Sequence, residues 1–380
     1  MTRWWCCADY GRRMVDNLSL RWQSSGRGSG AQAKRFRASS AVAALFAGSL
    51  LLAACSGEAE PADPSTTTPA VTSAAPTPEP VVDGPGIPAG ASPLSGLPGG
   101  ADKPVLALKI DNTRAAQPHT GLREADLVYI QEVEWGLTRL LALYNSSIPD
   151  IVGPLRSARV SDIDLLKPFG DIPFAYSGAQ SRLMPRLASS TFIDAPATRV
   201  YSGWFDDPAR RGPVNHMLKP QTILDVFPEA AVAKDIGLVF SDETPAGGQP
   251  AEEVSAQWGA SSVSFTWDAA QGDYIVGFDG AESRATEGGP QRAATVVIQS
   301  VQQRDSGFGD RYGGVTPQVK SVGSGKALVF RSGKVWEVTW ERPDPAEGTR
   351  FVLSDGSLMP FAIGQEWIVL LDRERSPVIR

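Results

Sequence analysis

Residues 34 to 55 divide this chain in two. Lys34-Arg35-Phe36-Arg37 leads into the small and apolar run Ala41–Ala54, which ends at Cys55. A basic stretch, a short apolar stretch and small residues before a cleavage point are the parts of an export leader, in the order that processing requires. The apolar run is fourteen residues long. A helix that spans a bilayer needs roughly 20, so the run is no stable span. Leu52-Ala53-Ala54-Cys55 has the form of a bacterial lipobox, whose thiol takes a thioether to diacylglycerol. Cys55 then becomes the first residue of the mature chain and carries its acyl anchor, palmitate included. The leader is read as 34–55, preceded by an unstructured extension, 1–33.

After residue 54 the chain holds 28 Lys and Arg against 40 Asp and Glu, a formal charge of −12. Anionic headgroups repel such a body, so attachment rests on the lipid and not on a basic surface. The same balance argues against nucleic acid as a partner, because phosphate neutralisation needs a basic face. The cysteines are Cys6, Cys7 and Cys55, so the mature chain has no second thiol. Thiol catalysis and cysteine metal sites are excluded together.

Residues 56–92 are rich in Pro, Thr and Ala, as in Pro64-Ser-Thr-Thr-Thr-Pro-Ala-Val-Thr. So few large apolar side chains cannot offset chain entropy, and the stretch reads as a disordered tether. Beyond it Leu106, Leu108 and Ile110 alternate with Ala107 and Lys109, a strand pattern, and Leu127–Ile130 and Leu140–Tyr144 are further strand-like runs. Ser161–Lys167 and Ser181–Ala188 read as short helices, with a strand at Ile172–Tyr176 between them. The chain turns polar and Gly/Pro-rich around Ser241–Pro250, which suggests a domain boundary. Past it strand-like runs dominate, including Ser261–Trp267, Tyr274–Phe278, Ala294–Ser300 and Val335–Trp340. The expected fold class is α+β: a mixed-sheet N-terminal domain over 93–245, then a β-rich C-terminal domain over 251–380.

Four motifs, Asn112-Thr-Arg-Ala-Ala-Gln-Pro-His-Thr-Gly-Leu122, Ala125-Asp-Leu-Val-Tyr129, Glu134-Trp-Gly-Leu-Thr-Arg139 and Val152-Gly-Pro-Leu-Arg-Ser-Ala-Arg159, resemble the YerB-like bacterial lipoproteins. Val322–Phe330, Trp340-Glu-Arg-Pro343 and Gly364-Gln-Glu-Trp367 resemble that family's second domain. The resemblance covers most of the mature chain and implies a mixed α+β fold, a lipid anchor and an envelope location. It implies no reaction, since the family has none established. The chain departs from the pattern at Ile130, at Trp135-Gly136 in place of Gly-Gly, and at Pro213-Val214-Asn215-His216, where the histidine is displaced.

Two chemistries stand out. Arg156-Ser157-Ala158-Arg159 leads from Gly153-Pro154 towards a helix start, and paired guanidiniums beside backbone N–H groups suit a carboxylate or phosphate. The competing reading is an internal salt-bridge cluster with Asp162, Asp164 or Glu134. Glu132 and Glu134, two residues apart, would share one face of a strand and could act as acid and base on a glycan. A solvated strand face, or a partner for Arg139, is the plainer account. With His119 and His216 as the only histidines, no His-Glu-x-x-His spacing arises, and no metal or cofactor is expected. His119, between Pro118 and Thr120-Gly121, reads as an exposed turn residue.

The combined expectation is a lipid-anchored, non-catalytic binding or adaptor module on the extracytoplasmic face of a bacterial membrane, engaging a cell-wall polymer or an envelope protein. Its ligand-binding residues would be Asn112, His119, Arg139, Arg156, Arg159 and Asn215. The alternative is a glycan-acting hydrolase or lyase using Glu132 and Glu134.

Overall fold

The computed structural model describes residues 86–380. The extension, the leader with Cys55, and the tether up to residue 85 lie outside the described residues. Residues 86–92, expected to close the tether, belong to the fold instead. Gly86 bridges to Phe240, and Ala91 and Ser92 are buried. The reason is close approach: a Cβ on Gly100 would stand 2.7 Å from the Ser92 Cα, so these small residues fit where larger ones would not.

Strands β1 (Leu106–Asp111), β2 (Leu127–Glu132) and β3 (Thr138–Tyr144) form an antiparallel trio with β3 in the middle. β1 continues in parallel to β4 (Pro173–Tyr176), and β4 to β5 (Ile193–Pro196). On the other flank β2 pairs in parallel with Glu366–Asp372, placing Tyr129 opposite Ile368. That strand pairs in parallel with Thr295–Gly309, which adds Gly323–Arg331, Lys334–Arg342 and Arg350–Val352 in antiparallel order. One mixed sheet of twelve strands therefore crosses the Ser241–Pro250 region. The fold is predominantly β, with short helices.

All six residues of β1 are buried. Leu106, Leu108 and Ile110 join Val128, Ile130, Leu140 and Trp367 on one face of the sheet. A second sheet, including Glu253–Gln257, Ser262–Asp268 and Asp273–Phe278, covers that face through Val254, Phe265, Val276 and Phe278. Ala107, Leu127, Tyr129, Leu141 and Leu143 point to the other core, shared with helix α1 (Val160–Leu166) and Leu187. Complete burial of a side chain such as Leu108 contributes roughly 2 kcal/mol, so neither face of the strand trio can stand uncovered.

The polar residue of β1 has its own partner. Lys109 is fully buried with its Nζ 2.7 Å from Asp162 Oδ1 in α1. Asp162 also accepts hydrogen bonds from Gln131 Nε2 at 2.5 Å and from the backbone N–H of Arg159 at 2.7 Å. Burial outweighs the attraction of Asp162 and lowers the Lys109 pKa to about 8. One carboxylate thus ties β1, β2 and α1 together and sets where the chain before α1 runs. The Arg156 N–H bonds the Lys109 carbonyl at 2.7 Å, and the Ser177 N–H bonds the Arg156 carbonyl at 3.0 Å.

Candidate functional site

Four segments meet around a cleft of about 760 Å³: the chain after β1, the Glu134–Gly136 turn between β2 and β3, residues 156–159, and a hairpin tip at 308–312. The tip joins Thr295–Gly309 to Val315–Lys320. Arg139, on β3, stands opposite Asp111, the last residue of β1. The fully buried Asp111 carboxylate accepts the Thr113 N–H at 2.9 Å and is ion-paired with Arg139 Nη1 at 3.3 Å and Arg156 Nε at 3.0 Å, its Oδ2 taking no hydrogen bond. Arg159 grips Glu134 through Nε at 3.0 Å and Nη2 at 2.6 Å, and its Nη1 bonds the Ser157 and Ala158 carbonyls. The Thr316 hydroxyl donates to the same glutamate.

These bonds set the electrostatics. Burial pushes the Glu134 carboxyl up, but its bonds to Arg159 and Thr316 outweigh that and hold it below the usual range. Burial lowers Arg139 to about 10, against the pull of Asp111, so it stays charged at neutral pH. Arg159 is saturated by its partners. Arg139 leaves its Nε buried without one, and Arg156 finds only the Pro213 carbonyl, at 3.3 Å, beyond its share of Asp111. Two carboxylates, Asp111 and Glu134, pair with these three guanidiniums, and the Asp310 carboxylate lines the same cleft.

The other expected site residues lie apart from this cleft. Asn112 donates from Nδ2 to Thr138 Oγ1 at 2.8 Å and lines a neighbouring hollow with Trp258–Ser262. Asn215 is half-buried, its carbonyl accepting the Asp207 N–H at 2.8 Å. His119 is not the exposed turn residue expected. It is fully buried, with Nε2 2.7 Å from the Asp111 carbonyl and its ring edge-on to Phe278. Burial lowers its pKa to about 4, so it is neutral, and its Nε2–H donates. The turn chemistry around it is real, but residues 285–286 fold over it: the Thr286 N–H bonds the His119 carbonyl at 2.9 Å.

Glu132 and Glu134 do not share a strand face. β2 ends at Glu132, and Glu134 opens the next turn. Glu132 meets Arg375 at 3.5 Å, whereas Glu134 belongs to Arg159. The helix start offers no free anion site either, because Asp162 already sits in the first turn of the seven-residue α1.

Nothing in the local sequence marks the hairpin tip as part of the cleft. Trp135 Nε1 donates to Asp310 Oδ2 at 2.8 Å, and Gln180 Nε2 to the Gly309 carbonyl at 2.7 Å. Phe308-Gly-Asp-Arg-Tyr-Gly-Gly314 carries hairpin turn chemistry, and that was the available signal. That the tip folds over the turn between β2 and β3 is invisible to any local pattern.

Comparison with known proteins gives matches along most of the body. Residues 94–233 match the N-terminal domain, and residues 254–368 the C-terminal domain, of a protein of unknown function, DUF3048. The chain is 26% identical over 281 residues to YerB of Bacillus subtilis (strain 168), whose name places it among the lipoproteins. That alignment covers 69% of this chain and 80% of YerB. The crystal structure of the Bacillus subtilis YerB protein superposes with a TM-score of 0.64 at 23% identity. It covers 76% of this chain and 99% of that one, a likeness of fold.

Proposed function

Because this chain belongs to the YerB-like DUF3048 family, with both of its domains in order, we propose that it is a non-catalytic, lipid-anchored binding module of the cell envelope. The anchor is Cys55, and it holds the body on the extracytoplasmic face of the membrane. The leader's order of basic, apolar and small residues before Cys55 supports this, as does kinship with a protein named as a lipoprotein. No helix among the described residues is long and apolar enough to cross a membrane.

The ligand is an anionic group of a cell-wall polymer or envelope protein, received by Arg139 and Arg156. One observation carries this reading: three guanidiniums share two carboxylates, and a buried Arg139 Nε is left over. An unsatisfied buried donor costs about 1–3 kcal/mol. A carboxylate or phosphate entering the cleft would balance it from outside.

The test uses the full chain solubilised in detergent and purified cell wall. Arg156→Ala should lose retention at least tenfold and melt within a few degrees of the parent, because Asp111 keeps Arg139 and the Thr113 N–H. Arg159→Ala should instead cost about 3 kcal/mol of stability, since it strands a buried Glu134. Equal retention of Arg156→Ala and the parent would dismiss the anion cleft. In cells, Cys55→Ser should move the protein out of the membrane fraction; a protein still in the membrane fraction would refute the anchor.

A further inference from the structure

The rim of the cleft carries aromatic rings, and they differ in what covers them. Phe308 lies under two cations, with the guanidinium carbons of Arg182 and Arg186 at 5.7 and 5.5 Å from its ring centre. Tyr312 has Arg311 over its ring at 4.8 Å. Trp135 has no cation over it among the described residues and is 57% exposed. It is also one of three non-glycine residues with positive φ among those described, at φ 65° and ψ 19°. The other two, Asp279 and Ser332, are small polar turn residues. A bulky side chain in that region is strained and persists where the surroundings over-determine it.

Those surroundings are plain. A Cβ on Gly136 would stand 2.6 Å from the Gly259 nitrogen, so the turn is pressed against that loop. A Cβ on Gly314 would stand 2.8 Å from Trp135 Cε2, so the indole lies directly across the hairpin. The Asp310 carboxylate holds the indole N–H. The ring is therefore fixed in place with much of its surface in solvent, over a cleft whose arginines grow steadily more enclosed. The Arg156 side chain is 25% exposed and that of Arg139 only 5%.

We propose that the cleft takes a sugar ring bearing a carboxylate on a short arm: the carboxylate enters first to Arg156 and Arg139, and the ring stays at the rim, stacked on Trp135. This rests on the anion reading above and gives it a ligand class. A fixed indole offers an apolar, electron-rich face to the C–H groups of a pyranose at little entropic cost, while its N–H stays bonded elsewhere. The guanidiniums supply the bidentate partner that a carboxylate needs.

Three probes separate the parts: N-acetylmuramic acid, N-acetylglucosamine, which has the same ring without the lactyl arm, and D-lactate, which has the acid without the ring. Binding to the detergent-solubilised full chain is read by saturation-transfer NMR with titration. N-acetylmuramic acid should bind at least tenfold more tightly than either fragment. Trp135→Ala should reduce it to the level of lactate, Trp135→Phe should keep it within threefold, and Arg156→Ala should reduce it to the level of N-acetylglucosamine, all with melting within a few degrees of the parent. If Trp135→Ala binds N-acetylmuramic acid as the parent does while Arg156→Ala loses it, the stacked ring is wrong and the anion cleft stands. If Arg156→Ala changes nothing, both readings fall. If the folded parent binds none of the three, the sugar class is wrong, and retention on cell wall judges the anion cleft separately.

Discussion

His119 shows how far a residue's surroundings can move its chemistry. Its folded pKa of about 4 lies below the ordinary 6.5, because burial removes water from the charged form. The unfolded chain therefore takes up the proton first as pH falls. Stability from this residue is complete above pH 6.5 and is lost between there and pH 4, amounting to about 3 kcal/mol across the window. Urea unfolding at pH 7.5 and pH 4.5 should show His119→Asn losing about 2–3 kcal/mol less than the parent over that interval. An equal loss in both would mean the histidine titrates normally in the folded chain. Its type and turn context were legible in the sequence; its burial was not, since the covering loop comes from residues 285–286. The arginines divide in the same way. Their spacing suited either an anionic ligand or an internal ion-pair cluster, and only the structure shows that Arg159 holds Glu134 through two nitrogens while Arg139 reaches Asp111 through one and leaves its Nε without a partner.

At the scale of elements, local patterns served well wherever the chain's neighbours resemble its own period. β1 falls on the alternating run and β2 and β3 on the further strand-like runs, and α1 spans Val160–Leu166 against an expected Ser161–Lys167. The pattern failed at the end of β2. Glu132 and Glu134 have strand spacing, yet Val133 ends the extended run and Trp135 turns left-handed, so the two carboxylates part. The hairpin tip is the other element that matters here, and it depends on one glycine. Gly314→Ala places a methyl group against the Trp135 indole and 2.9 Å from Glu134 Cβ. It should push the tip off the turn, raise the solvent exposure of Trp135 and weaken N-acetylmuramic acid binding at least fivefold, with the rest of the fold intact. Amide exchange across residues 302–320 reads the displacement, and unchanged protection would show that the tip tolerates the methyl.

For the whole molecule, the parallel joint between β2 and Glu366–Asp372 is the main fact. Residues 86–245 alone would leave β2 as an open, apolar edge with its neighbour strand missing. Residues 246–380 alone would expose the matching edge of Glu366–Asp372. Each half expressed alone should therefore aggregate, and co-expression should yield a soluble complex with the melting behaviour of the parent. A monomeric, cooperatively unfolding half would show that the two matched domains are independent and that the joint merely sits between them.

The sequence by itself determined what lies within a few residues of any point: the basic and apolar order of residues before Cys55, the acidic body, the strand periods and the short helices. These depend on composition and spacing, which a linear chain carries openly. The tertiary structure decided what depends on distant partners. It set β2 beside a strand near the C-terminus, buried His119 and Lys109, separated two neighbouring glutamates and folded a hairpin over three arginines. Such pairings are selected by which apolar faces can be covered at once and which charges can be matched on burial, and no window of the sequence contains both members of the pair.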